Sequence, residues 1–177
     1  MMNWQNDKFD WDKDYSLEEL LQSIVEIKEF PNKLVRTIQG FTEEHFNAQY
    51  RADSWTVKQI IHHLADAHIN AFMRTKHIIH QDVNEIQVWD HDEWANGMDY
   101  QFNHESSFMM LLGTHQRWSL LLLESLKQPE IYLAKSLYHP GQQKHISIAQ
   151  LIALYAWHGN HHLMQIAHAA SLVDSRN

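Results

Sequence analysis

The chain has 177 residues, enough for one domain with its own hydrophobic core, and its lack of cysteine excludes a disulfide framework, a cysteine-ligated zinc site and a cysteine nucleophile. A formal net charge of −8 without any basic block argues against a nucleic-acid-binding protein. No apolar run is long enough to span a membrane, and the polar N-terminus does not look like a signal peptide, so we expect a cytoplasmic protein.

The predicted secondary structure is all-α, because breakers are scarce (5 glycines and 3 prolines) and apolar residues recur at the helical period. The first helix opens with a capping box at Ser16, and Pro31 within its apolar stripe is expected to kink or divide it. A short helix capped by Thr42 follows. The second long helix opens with another capping box at Thr56 and extends to about Ile79.

The third long helix is expected to begin near Asn103, and the fourth opens with a capping box at Ser147. Long connections cover residues 83–97 and 129–144. The turn signal "HPGQ" in the second connection could place a short hairpin there. We therefore predict a four-helix bundle, a single domain over residues 1–177, with long loops between helices two and three and between helices three and four.

The fourth helix contains four histidines in the stretch "YAWHGNHHLMQIAHAA". His158 and His162 are four residues apart, which puts both side chains on one helix face, where they could bind one metal ion. His161 and His168 fall on the flank of that face. Such a pair also occurs by chance, so hydrogen-bonded core histidines or a polar surface remain alternatives. We interpret Gly159, between the histidines, as a close-approach position beside the metal.

The second helix supplies a partner for this pair in "HHLADAHIN". Its His63 together with His158 and His162 would give three nitrogen ligands and an open position, which is the pattern of catalytic zinc. Asp66 lies on the same stripe as His63, and we predict it as the catalytic residue, either orienting a ligand or facing the open position. The alternative is a carboxylate that faces solvent. His62 lies about 100° around the helix from His63.

Other histidines carry weaker signals. His139 sits in a turn and could line the rim of a pocket or simply complete that turn. His115 falls on the apolar stripe of the third helix and is interpreted as a satisfied core histidine that could also face the site. Six further histidines are assigned to the surface: His45, His77, His80, His91, His104 and His145.

With the motifs "WTVKQIIHHLADAHINAF", "WDHDEWA" and "YAWHGNHH", the chain resembles the DinB-like superfamily. It is most similar to the YfiT branch, whose members are known as metal-dependent hydrolases and as bacillithiol S-transferases. The resemblance implies a four-helix bundle that binds one divalent ion, zinc or nickel, through three histidines. Matching the motifs puts these ligands at His63, His158 and His162, with His62 as the rival for the first position. It also implies a homodimer.

Three functions follow from such a site. In the first, a thiol S-transferase, the metal binds a low-molecular-weight thiol such as bacillithiol, and the resulting thiolate attacks an electrophile. In the second, a hydrolase, metal-bound water attacks an amide or ester, with Asp66 as the base. The third is a non-enzymatic metal-binding module. For the enzymes we expect a small-molecule substrate and neither nucleic acid nor membrane as partner.

Overall fold

The long helices form a bundle in the computed structural model, which describes residues 7–81 and 85–176. The first six residues and the start of the predicted 83–97 connection lie outside this part. The α-helices in chain order are α1 (Leu17–Ile38), α2 (Glu43–Asn47), α3 (Val57–His80), α4 (His91–Ala95), α5 (Glu105–Ser125), α6 (Pro129–Tyr132) and α7 (Ile148–Asp174). The capping boxes at Ser16, Thr56 and Ser147 are present. The predicted all-α four-helix bundle is confirmed.

The arrangement of the four long helices differs from a simple up-and-down bundle. Helix α1 packs against α5 and α7, and α3 packs against the same two, so α1 and α3 occupy opposite corners. Early residues of α3 and α5 meet at His62 and Ser107, and later residues meet at Thr75 and Trp118. Helices α3 and α5 therefore run parallel, and the chain must return along the bundle to connect them.

This return segment, residues 85–104, passes over the start of α3. Trp55 Nε1 donates to Asp92 Oδ1 at 3.0 Å, and Gln59 Nε2 donates to the Ala95 carbonyl at 2.9 Å. The sequence predicted this stretch as a loop. It instead contains α4 and a 3₁₀ turn, because the segment packs against the bundle rather than lying free.

The connection before α7 contains the hairpin that its turn signal predicted. Strands β1 (Ser136–His139) and β2 (Lys144–Ser147) pair antiparallel around a 3₁₀ turn at Pro140–Gln142. The cross-strand pair Leu137 and Ile146 is buried in the core. Because β2 leads directly into α7, the hairpin fixes where that helix begins.

Pro31 does not divide α1, which was one of the two outcomes expected from the sequence, since the helix is continuous from Leu17 to Ile38. Proline has no N–H, so the Ile27 carbonyl lacks its usual partner four residues later. His115 Nδ1 of α5 donates to this carbonyl instead. The freed backbone group is thus satisfied by a neighbouring helix, and the helix persists.

The histidines of α7 lie between two apolar clusters. One cluster includes Leu151, Ile152 and Tyr155, and the other includes Ile166 and Ala169. His158 and His162 occupy the polar layer between them. Within residues 7–81 and 85–176, no helix is long and apolar enough to cross a membrane.

Candidate metal centre

Three histidine side chains converge where the start of α3 meets the middle of α7. His63 Nε2 lies 3.2 Å from His158 Nε2, and His162 Nε2 also lies 3.2 Å from His158 Nε2. One ring nitrogen of each lies within 4.8 Å of those of the other two. The structure therefore brings together the three residues that the sequence predicted as ligands.

The hydrogen bonds of His158 and His162 show that this set fits a metal ion. His158 Nδ1 lies 3.0 Å from His68 Nε2, and His162 Nδ1 lies 2.8 Å from Gln165 Oε1, an amide oxygen that can only accept. With the proton on Nδ1, the two Nε2 atoms face each other as lone pairs at 3.2 Å, a contact that a cation between them would relieve. Nitrogen atoms about 2.05 Å from a tetrahedral zinc lie about 3.3 Å apart, close to this spacing.

The protonation states also suit metal binding. Burial is the largest cause that lowers the pKa of His63 and His158 well below the ordinary value, and neighbouring imidazoles add to it. Burial likewise lowers the pKa of His162 to about 3. All three rings are therefore neutral near pH 7, which is the form that ligates a metal. His63 Nδ1 is buried and has no hydrogen-bond partner among the described residues.

His62, the rival for the first ligand position, points elsewhere. Its Nδ1 lies 2.7 Å from Ser107 Oγ, and its Nε2 lies 3.2 Å from the Phe102 carbonyl. Both ring nitrogens are therefore engaged on the α5 side of α3. The geometry favours His63 as the ligand.

Asp66 is not brought to the three histidines. Its Oδ2 accepts a hydrogen bond from the Tyr100 hydroxyl at 2.7 Å, and burial raises the pKa of its carboxyl group. Residues three apart on a helix differ by about 60° in direction. That difference turns Asp66 towards the return segment, while His63 faces α7.

A cavity of about 640 Å³ opens beside the histidines, within the range of small-molecule sites. Its wall is largely aromatic, with Trp55, Trp89 and Trp157. The polar side chains around it include Asp7, Lys8, Arg74, His91 and His139. Such a chamber can hold an apolar molecule that has a polar end.

Sequence reasoning missed His91, which it assigned to the surface. The return segment brings the His91 ring to 5.5 Å from the His63 ring, and His91 lines the cavity. Only the parallel arrangement of α3 and α5 places it there, and no local pattern reports that topology. His139 does line the cavity, in agreement with one of the two readings of its turn.

Gly159 is a close-approach position, but its neighbour is not the metal site. A Cβ atom built on Gly159 would lie 2.7 Å from Cδ2 of Phe30. The glycine therefore lets α1 and α7 approach each other. The expected place beside the metal is corrected to a contact with the ring of Phe30.

Comparisons with known proteins identify a family and several relatives of this chain. The model of the DinB superfamily matches residues 26–166, a range that includes all three histidines. A "Putative metal-dependent hydrolase" from Geobacillus thermodenitrificans is 37% identical over 153 residues, which cover 86% of this chain and 84% of that protein. A relative with a similar name from Oceanobacillus iheyensis is 39% identical over 149 residues, covering 84% of this chain and 83% of its own.

One solved structure is similar over nearly the full length. It is YfiT from Bacillus subtilis, described as "a probable metal-dependent hydrolase with an unusual four-helix bundle topology". The TM-score is 0.84 at 29% sequence identity, and the alignment covers 96% of this chain and 94% of that one. The parallel pair α3 and α5 is consistent with a bundle of unusual topology.

Proposed function

Because the chain belongs to the DinB superfamily, we propose that it is a metal-dependent enzyme with zinc or nickel held by His63, His158 and His162. The observation that carries this proposal is the convergence of three Nε2 atoms beside a cavity of about 640 Å³. Three protein ligands leave an open position for a small-molecule substrate. The cavity beside this open position favours an enzyme over a protein that only stores metal.

We favour thiol S-transfer as the reaction. A divalent ion held by these three histidines would lower the pKa of a thiol or water that it coordinates. The chain has no cysteine, so the thiol is a co-substrate such as bacillithiol. In this reaction the sulfur forms a bond to an electrophilic carbon, whose leaving group departs with the bonding electrons, and the thiol proton passes to a nearby base or to solvent.

Among the described residues, Asp7 is the only carboxylate that lines the cavity, and its Oδ2 is bound to His161 Nδ1 at 3.1 Å. A hydrolase without a free carboxylate would need a histidine to activate water, whereas a thiol coordinated to a metal would need no base. This difference supports the transferase. The sequence predicted Asp66 as this base, and that role stays a prediction. In the structure its carboxylate accepts a hydrogen bond from Tyr100 and does not line the cavity.

His91 is the best placed proton acceptor. It lines the cavity, and burial is the main cause that lowers the pKa of its imidazole. The ring is therefore neutral near pH 7 and can take a proton. This base, together with the names of the relatives, supports hydrolysis as the second candidate function.

Arg74 supplies positive charge to the cavity. It donates to the Tyr155 hydroxyl and to the Gln87 carbonyl, both at 3.3 Å, and forms no ion pair within the described part of the chain. We propose that its guanidinium group binds an anionic part of the substrate, while the tryptophans contact an apolar part.

We also propose a homodimer formed through an exposed apolar row on α1. Leu17, Leu21 and Val25 are four residues apart and remain 44%, 42% and 48% exposed. Exposed apolar side chains that share one helix face favour a protein–protein interface. Light scattering after size exclusion should give a dimer for the wild type and a monomer for Leu21→Glu; a monomeric wild type contradicts this assembly.

The reaction is tested on protein loaded with zinc or nickel. One assay follows thiol consumption with chlorodinitrobenzene, and the other follows cleavage of nitrophenyl acetate without thiol. The transferase predicts activity only in the first assay, lost in His158→Ala and retained in His62→Ala, the matched control on the other side of α3. Metal-dependent ester cleavage alone would favour the hydrolase. Inactivity in both assays would contradict the enzyme proposal.

A further inference from the structure

A chain of hydrogen bonds connects His158 to the backbone of α1. His158 Nδ1 lies 3.0 Å from His68 Nε2, and His68 Nδ1 lies 2.8 Å from His115 Nε2. His115 Nδ1 contacts the Ile27 carbonyl. Both His68 and His115 are completely buried.

The carbonyl end fixes the direction of every bond in this chain. A carbonyl can only accept, so His115 Nδ1 carries the proton and its Nε2 accepts from His68. Both rings are completely buried and have no carboxylate among their hydrogen-bond partners, so each is neutral and carries one proton. His68 Nε2 then accepts from His158 Nδ1, which leaves His158 Nε2 with a lone pair.

Pro31 explains why this carbonyl is available. Residue 31 would donate its backbone N–H to Ile27 in an ordinary helix, and proline has no N–H to donate. The proline that sequence reasoning treated as a helix breaker therefore supplies the acceptor at the end of the chain.

A second chain connects His162 to the N-terminal segment. His162 Nδ1 lies 2.8 Å from Gln165 Oε1, Gln165 Nε2 lies 3.0 Å from His161 Nε2, and His161 Nδ1 lies 3.1 Å from Asp7 Oδ2. The amide oxygen of Gln165 and the carboxylate of Asp7 can only accept, so His162 Nδ1 donates to Gln165 and His161 Nδ1 donates to Asp7. His162 Nε2 is again left with a lone pair.

We propose that these two chains hold His158 and His162 in the Nδ1–H tautomer and thereby present both Nε2 lone pairs to the metal site. His68 and Gln165 are positioning residues. Pro31 leaves the Ile27 carbonyl free to accept at the end of the first series of hydrogen bonds, and Asp7 provides the accepting carboxylate at the end of the second. The role of these hydrogen bonds in metal binding rests on the proposed function. The tautomers of His158 and His162 are a property of the metal-free protein. His63 has no such chain, because its Nδ1 is unpartnered among the described residues.

Long-range proton–nitrogen NMR of metal-free, nitrogen-15-labelled protein near neutral pH reads each tautomer directly. We expect Nδ1–H for His158 and His162 in the wild type. His68→Leu should remove that preference at His158 and leave it at His162. His68→Gln should keep it, because a glutamine can accept from His158 and donate to His115, as Gln165 does in the other chain.

Zinc affinity, measured by competition with a chromogenic chelator, gives the second readout. We expect His68→Leu to weaken zinc binding about 10–100-fold, as found for such supporting residues, and His68→Gln to restore most of it. His62→Leu, which also removes a buried histidine of α3, should leave affinity unchanged.

Nε2–H tautomers in the wild type would overturn the proposal, and so would equal losses of affinity in His68→Leu and His62→Leu. If the wild type binds no zinc, the proposed function fails. The NMR measurement on metal-free protein still tests whether the hydrogen bonds hold the Nδ1–H tautomers.

Discussion

Replacing Gly159 with alanine tests how closely α1 and α7 approach each other. The added Cβ would lie 2.7 Å and 2.9 Å from two ring carbons of Phe30. Carbon atoms prefer separations of about 3.5–4.0 Å, so the ring would have to move by roughly 1 Å. The same ring also stacks on His68 and His115, with ring centroids 5.3 Å and 5.4 Å away. The ring therefore has little room to retreat.

The expected change combines two opposing free energies. Overpacking a core typically costs about 1–3 kcal/mol, while alanine is favoured over glycine in a helix by about 1 kcal/mol. We therefore expect Gly159→Ala to lower the free energy of unfolding by about 0–2 kcal/mol.

Gly113 offers a matched control on α5, because a Cβ there would meet nothing within 4 Å. Gly113→Ala should raise the free energy of unfolding by about 1 kcal/mol. Urea unfolding of the metal-free protein, followed by circular dichroism, measures both variants. Equal stabilisation by the two substitutions would refute the close packing of Gly159 on Phe30.

Three further predictions concern protons, Asp66 and Arg74. The folded pKa of His115 is lowered from 6.5 to about 4 by burial, so the unfolded state binds more protons between these values. The contribution of His115 to the free energy of unfolding of the metal-free protein should be complete above about pH 6.5. It should fall as the pH is lowered towards 4, by up to about 1.4 kcal/mol per pH unit for each such histidine. Urea titrations whose free energy of unfolding does not change with pH would contradict this. Asp66→Asn can still accept from Tyr100, so zinc content and kcat should stay within about threefold of wild type, and a loss of kcat above about 100-fold would place Asp66 in the reaction. Arg74→Gln should raise KM about 10-fold or more for a carboxylate-bearing substrate, the value of a charged hydrogen bond, and an equal rise for an uncharged analogue would exclude charge recognition.

Local patterns in the sequence predicted much of the fold. The capping boxes at Ser16, Thr56 and Ser147 mark the starts of three long helices, because each pairs a hydroxyl with a side chain three residues later. The spacing of His158 and His162 placed both on one face, and the turn signal predicted the hairpin. These features depend on contacts between residues close in the chain.

The remaining features depend on contacts between distant residues. The parallel course of α3 and α5 decides that His91 reaches the cavity and that Asp66 meets Tyr100. The role of Pro31 depends on His115, 84 residues later, so the local sequence could not show that the helix stays undivided. No periodicity within one helix reports which faces of two helices meet.

Elemental analysis of the purified protein tests the central claim most directly. We expect one zinc or nickel ion per wild-type chain, lost in His63→Ala, His158→Ala and His162→Ala and retained in His62→Ala. Circular dichroism confirms that each variant is folded. A wild type without metal, or ligand variants that keep a full equivalent, would contradict the three-histidine site.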